Sequence, residues 1–213
     1  MKFCVIGLGR FGFQVATVLA EHGMEVVAID SDESIVSSIR DKVTQAVCMR
    51  VKDETSLINI GIEEMDTTIV ATGENFAESI LITALLKKRL NMPRVIARAI
   101  NDIHKDILKL VGADQVVLPE KEIGIKVADN LSSPFTDLFR LTQDFSVSQI
   151  IAPIRYVGKS LEAVNLYKNY LVTCIGIKKD EAIVPVSQDY IIQPKDRLIV
   201  AGNNDDLKRL TRL

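Results

Sequence analysis

Short, unbroken apolar runs alternate with longer stretches of helical period through the first half of the chain. Residues 3–7 are such a run, as expected of a strand buried on both faces. Phe11, Val15, Val18 and Leu19 follow on one face of a helix. The pattern predicts strands at 25–30, 45–49, 67–71, 95–98 and 115–118. It predicts helices at 31–41, 53–61, 75–90 and 101–111 between them. Repeated β-α-β units imply a parallel sheet with helices on both faces and right-handed crossovers. Six strands in this rhythm predict an α/β fold, a Rossmann-like doubly wound parallel sheet.

Beyond Pro119 the rhythm changes. A helical stretch over 120–131 is followed by Ser132-Ser133-Pro134 and a further apolar stretch containing Phe135, Leu138, Phe139 and Leu141. Shorter elements come next. Strands are expected at 147–154, 172–178, 182–186 and 197–201, with helices from Ser160 to about 167 and over 204–211. The reading is an N-terminal domain over 1–133, a linker to about 145, and a small α+β lobe over 146–213.

Composition narrows the function classes. The 213 residues are 47% hydrophobic and 25% charged, which supports a folded core. The formal net charge of -2 gives no reason to expect a nucleic-acid partner. Cys4, Cys48 and Cys174 are far apart and form no CxxC pair, which argues against a disulfide framework or a zinc cage and for a reducing, cytoplasmic setting. The longest uncharged runs, near 11–20 and 145–154, are about half the ~20 residues that a membrane helix needs.

Gly7-Leu8-Gly9-Arg10-Phe11-Gly12 fits GxGxxG between a predicted strand and a predicted helix, and Asp30 ends the second strand. This is the context a dinucleotide-binding fingerprint requires. Glycines admit the ligand backbone, the helix N-terminus faces phosphate, and Asp30 would accept from ribose hydroxyls while repelling a 2′-phosphate. Ligands of open α/β sheets bind beyond the carboxyl ends of the strands. Those ends collect Arg10, Asp30, Arg50, Thr72, Gly73, Arg98 and Glu120. Three arginines beside a phosphate loop suggest a nucleoside di- or triphosphate. Arg50 and Arg98 could equally be solvated charges at loop starts. Glu120 is either a hard oxygen donor to a magnesium or calcium ion or simply a favourable charge opening its helix.

Acid-base machinery is sparse. His22 and His104 fall in predicted helices and read as surface residues. No Tyr-x-x-x-Lys, nucleophile elbow or Walker A lysine occurs. The site reads as built to bind. An NAD-dependent oxidoreductase is the alternative, and a nucleotide-sensing transcription factor a weaker third.

GLGRFG at 7–12, EVVAID at 25–30, ATGEN at 71–75, VIARA at 95–99 and GADQVVLPEKEIGIKVA at 112–128 together resemble the RCK domain, the regulator of potassium conductance. GKSLEAVNL at 158–166 through QPKDRLIVAG at 193–202 resembles the accompanying C-terminal lobe. Order and length are similar to the stand-alone KtrA/TrkA-type subunits. The resemblance implies a cytoplasmic, non-enzymatic regulatory subunit that assembles as a homo-oligomeric ring, often an octamer. Such a ring sits beneath a potassium-translocating membrane subunit of the KtrB/TrkH type. ATP/ADP, or alternatively NAD(H), would bind in the Rossmann cleft. Arg10 would reach a phosphate, Asp30 would hold the ribose, and Glu120 would help bind a divalent cation. The helix after Glu120 would cross between paired subunits, continuing through Phe135, Leu138 and Phe139.

Three positions depart from the family pattern. Arg50 stands where Asp or Asn adjoins the adenine. Phe13 stands where a small residue follows the fingerprint, which favours a mononucleotide over NAD. Tyr167 stands where C-lobes that bind cyclic di-AMP carry an arginine.

Overall fold

The computed structural model describes residues 1–72, 75–132, 136–180 and 182–211, without the side chains of 132, 136, 137 and 211. The chain forms two compact units, Met1–Lys121 and Glu122–Leu213.

In the first unit, strands β1 (Lys2–Ile6), β2 (Glu25–Asp30), β3 (Gln45–Cys48), β4 (Thr67–Val70), β5 (Val95–Arg98) and β6 (Gln115–Val117) form one parallel sheet in the order β3-β2-β1-β4-β5-β6. Order reverses between β1 and β4, so the doubly wound expectation holds. Helices α1 (Arg10–Glu21), α2 (Glu33–Ile39), α3 (Glu54–Ile58), α4 (Phe76–Ala84) and α5 (Asp102–Leu110) connect the strands. The unbroken apolar runs resolve into two faces by the two-residue period of a strand. Cys4, Ile6, Val27 and Ile29 join one core with Leu57, Ile82 and Leu108. Val5, Val26 and Ala28 join the other with Ala16, Val36 and Ile39.

Helix starts line the carboxyl edge of the sheet. Asp32, Asp53, Asn75 and Asn101 each cap one by accepting a backbone N–H two or three residues on. Helix α1 differs. Its N-cap is Gly9, with no side-chain cap, so the first-turn amides are left for another acceptor.

Helix α6 (Pro119–Ser132) begins in the first unit and continues into the second. Residues 136–140, part of the apolar stretch after the Ser-Ser-Pro segment, form strand β7 (Thr136–Arg140). It lies at one edge of an antiparallel sheet with β8 (Phe145–Ile151), β9 (Thr173–Lys179), β10 (Ala182–Val184) and β11 (Arg197–Asn203), ordered β10-β9-β11-β8-β7. Arg140 donates to both Asp129 oxygens at 2.6 Å, and the Leu138 amide donates to Asn130 Oδ1, tying β7 to α6. The helix expected from Ser160 to about 167 is two single turns, α7 (Leu161–Val164) and α8 (Leu166–Tyr170). Asn165, at φ 43°, breaks them apart and caps the second through the Lys168 amide. Helix α9 (Asn204–Thr211) closes a core of Ile150, Leu161, Ile177, Leu198 and Leu207.

His104 corrects the surface reading. It is fully buried. The Ile100 amide donates to its Nδ1 at 3.3 Å, so Nε2 carries the proton and meets Ser79 Oγ at 2.8 Å. The Ser79 hydroxyl in turn donates to the Phe76 carbonyl, and the Phe76 ring lies 4.3 Å from the imidazole. An apolar helix face can recruit a histidine when each ring nitrogen finds a partner.

Candidate functional site

The three fingerprint glycines do different work. Gly7 has φ +92°, and a Cβ there would lie 2.7 Å from the Thr72 amide nitrogen. A Cβ at Gly12 would sit 1.9 Å from the Gly7 carbonyl oxygen. Both are needed to pack strand, loop and helix together. Gly9 has an ordinary backbone conformation and nothing within 4 Å of a Cβ, so its missing side chain leaves open space in front of the α1 amides.

Asp30 has a role that spacing alone does not reveal. Its Oδ2 accepts from the Leu8 amide at 2.6 Å, and its Oδ1 accepts from the Asp32 amide at 3.0 Å. The carboxylate therefore fixes the glycine loop against the end of β2. Each oxygen retains a lone pair for a ribose hydroxyl.

A cleft opens at the carboxyl edge. Gly7, Asp30, Arg50 and Thr72 line it, together with Met49, Val51, Glu78 and Ile82, which the sequence reading did not select. Met49 and Val51 follow β3, and Glu78 lies in the first turn of α4, where nothing in local spacing marks it as a wall of the site. Arg50 Nε donates to Glu78 Oε1 at 3.2 Å, joining the loop after β3 to α4 across the cleft. Thr72 Oγ1 is buried without a hydrogen-bond partner among the described residues. Gly73 lies outside the described residues.

Arg98 and Glu120 meet at the ends of β5 and β6. The guanidinium donates to Glu120 Oε1 at 2.5 Å. The Arg98 side chain is 19% exposed and that of Glu120 66%. Arg98 Nε is buried without a partner among the described residues. The Glu120 carboxyl is held below the usual carboxylate range, first by its own first-turn amide and then by Arg98. No cluster of three or more His, Cys, Asp or Glu side chains able to hold a metal occurs among the described residues.

Arg10 is exposed in the first turn of α1. The Phe11 ring packs into the α1–α2 core, which leaves its amide, not its ring, to face a ligand. Phe13 packs into the same core beneath the Lys42 ammonium and does not line the cleft. The helical period turns its ring toward α2.

Residues 3–119 match the TrkA-N domain and residues 150–213 the TrkA-C domain. The chain belongs to the TrkA-N/TrkA-C family. Ktr system potassium uptake protein C of Bacillus subtilis (strain 168) is 36% identical over 213 residues, covering 99% of this chain and 96% of that protein. Ktr system potassium uptake protein A of the same organism is 35% identical, covering 98% of this chain and 94% of that protein. Among solved structures, the GsuK RCK domain shares the fold with a TM-score of 0.52 at 24% identity, over 99% of this chain and 46% of that one. The GsuK channel bound to NAD gives 0.55 at 23% identity, over 99% and 38%. This TrkA-N/TrkA-C chain therefore spans less than half of those GsuK chains. The family match agrees with the resemblance carried by the fingerprint and by the segments around Glu120 and Ser160. No helix among the described residues is long and apolar enough to cross a membrane.

Proposed function

We propose that the protein is a nucleotide-sensing regulatory subunit of a potassium transport system. The observation that carries this is the loop from Gly7 to Gly12, which leaves uncapped amides, open space at Gly9 and an anchored Asp30 at the switch point of the sheet. The full-length likeness to Ktr potassium uptake proteins supplies the biological context.

Residues 1–133 serve as the nucleotide-binding domain and 146–213 as the C-terminal lobe. The protein works at the cytoplasmic face of a membrane, in contact with a KtrB/TrkH-type translocating subunit, and has no enzymatic step of its own. Its ligand is a nucleoside di- or triphosphate, ATP/ADP among adenine nucleotides, with NAD(H) the alternative that the NAD-bound GsuK channel keeps in view. Gly7, Gly9 and Gly12 shape the loop, the Phe11 amide and Arg10 meet phosphates, and Asp30 holds the ribose. Thr72, with Gly73 beside it, and Arg98 continue the phosphate track. Glu120 supplies one carboxylate oxygen to a magnesium or calcium ion whose remaining ligands are phosphate oxygens and water.

Regulation then follows from differential affinity. A nucleotide shifts the equilibrium between two assembly states only by the ratio of its affinities for them. The exposed apolar face of α6 fits a homo-oligomer: Ile123 is 59% exposed and Leu131 83%, and Phe139 on β7 is 58% exposed. Leu138 is spent in the core of the second unit, and Phe135 lies outside the described residues.

A thermal-shift series tests the ligand assignment. ATP and ADP, at equal concentrations, are expected to raise the melting temperature more than NADH or NADPH; a ligand at a hundredfold excess over its Kd adds about 2.7 kcal/mol of stability. NADPH as the strongest stabiliser would overturn it, since Asp30 repels a 2′-phosphate.

A further inference from the structure

The chain leaves the sheet at the end of β5. The Ala99 amide still donates to the Val117 carbonyl of β6, at 2.9 Å. The Ile100 amide has no strand to meet, and a part-buried amide left without an acceptor is costly. His104 Nδ1 supplies that acceptor, and the His104 amide donates to the Asn101 side chain at 2.8 Å. The imidazole thus folds residues 100 and 101 back onto the first turn of α5.

The other ring nitrogen holds a second element. Nε2–H meets Ser79 Oγ, the Ser79 hydroxyl reaches the Phe76 carbonyl at 3.0 Å, and the Phe76 ring covers the imidazole. Phe76 opens α4, and Glu78 of the same turn lines the cleft. Arg98 stands two residues before Ile100. Its Nε is buried without a partner among the described residues, and its contact with Glu120 uses a terminal amino group. The guanidinium is therefore aimed largely by its own backbone, and the imidazole fixes the backbone that follows. We propose that His104 is a positioning residue for the phosphate side of the nucleotide site, its neutral ring joining the loop after β5 to the first turn of α4 and so setting where Arg98 stands. This inference rests on the nucleotide-binding reading given above.

Filling space does not require a histidine here. An apolar side chain of similar volume would pack between α4 and α5 without the cost of burying two ring nitrogens. What it could not do is accept from one loop while donating to another helix, which a neutral imidazole does with its two nitrogens on opposite sides of the ring. The two segments joined in this way are those that follow β4 and β5, the strands whose ends carry Thr72 and Arg98.

Calorimetry on the full-length protein at about pH 8, where the imidazole is neutral, tests this with ATP and AMP as probes. His104→Asn carries its amide oxygen as many bonds from the backbone as Nδ1, so it keeps an acceptor for the Ile100 amide, and ATP should bind within about threefold of wild type. His104→Gln reaches the Nε2 position, keeps the Ser79 contact and orphans the Ile100 amide, so ATP affinity should fall about tenfold or more. AMP, which lacks the outer phosphates, should change by less than about threefold in either variant. In an Arg98→Ala background, His104→Gln should have no further effect on ATP, the result expected of a residue that acts through another. Ser79→Ala removes a single hydroxyl and should lower ATP affinity in the same direction; it decides the matter if melts show that His104→Gln does not fold. Equal losses for the Asn and Gln variants, equal losses of ATP and AMP, or a full further loss from His104→Gln once Arg98 is gone would overturn the positioning role and leave His104 as a core residue. Unchanged ATP binding by the Gln and Ser79→Ala variants would overturn this inference alone. Wild-type protein that binds neither ATP nor AMP would remove the nucleotide-binding reading with it.

Discussion

The Arg98 guanidinium and the Glu120 carboxylate lie 2.5 Å apart at the carboxyl ends of β5 and β6. A carboxylate so engaged is available to a divalent cation only if it exchanges a half-buried arginine for the metal or shares its second oxygen. Glu120→Gln separates these cases from a purely structural role. The variant should lose the enhancement of ATP binding by magnesium or calcium, while metal-free binding changes by less than about threefold. Survival of the divalent effect in titrations of the variant would leave Glu120 as the partner of Arg98 and the start of its helix.

Gly9 and Gly12 are expected to respond to substitution in opposite ways. Gly9→Ala meets no protein atom, so its melting temperature should stay near wild type while nucleotide affinity falls about tenfold or more. Gly12→Ala drives a Cβ into the Gly7 carbonyl and should cost at least the ~1–3 kcal/mol of an overpacked core. Denaturation alongside nucleotide titration reads both. Equal destabilisation by the two substitutions would contradict the division of roles.

Arg10→Ala removes a charge-assisted contact to the outermost phosphate. ATP affinity should fall by roughly 1.5–3 kcal/mol, about ten- to hundredfold, with a smaller loss for ADP. Equal losses in calorimetry would place Arg10 away from the terminal phosphate.

Stability should depend on pH through His104. Burial pushes its pKa below the ordinary value. The unfolded chain therefore binds more protons once the pH falls below the unfolded value of about 6.5, and stability is lost progressively as the pH drops toward the lower folded value. Wild-type melting temperature should fall between about pH 7.5 and pH 5.5. His104→Gln should be less stable at neutral pH and lose most of that slope. His22, the second histidine, is exposed, so an unchanged slope in the variant would assign it to other groups.

Assembly is expected to rest on the exposed apolar face of α6 with Phe139. Light scattering should give a mass of at least a dimer at micromolar concentration. Leu131→Ser combined with Phe139→Ser should shift it to smaller species while nucleotide binding persists. A wild-type mass near 23.6 kDa would remove the ring reading.

Much of this architecture was legible in linear order. Two-face burial makes a strand uniformly apolar, and a helix repeats every 3.6 residues, so the βαβ rhythm and the place of Gly7–Gly12 and Asp30 could be read from the chain alone. The family resemblance lay in the same local segments. Contacts that join residues far apart in sequence could not be read this way. The Leu8 amide meets Asp30 across 22 positions, Arg50 meets Glu78 across 28, and Arg98 meets Glu120 across 22. A histidine in a helix away from the strand ends reads as a surface residue, yet His104 is buried once Ser79 and the Ile100 amide supply its partners. Local sequence determined which elements form and where a phosphate is invited, because propensity, period and glycine geometry act over a few residues. The sheet order decided which carboxylate each arginine meets and which side chains wall the cleft, because those pairings exist only after parallel strands bring distant loops to one edge.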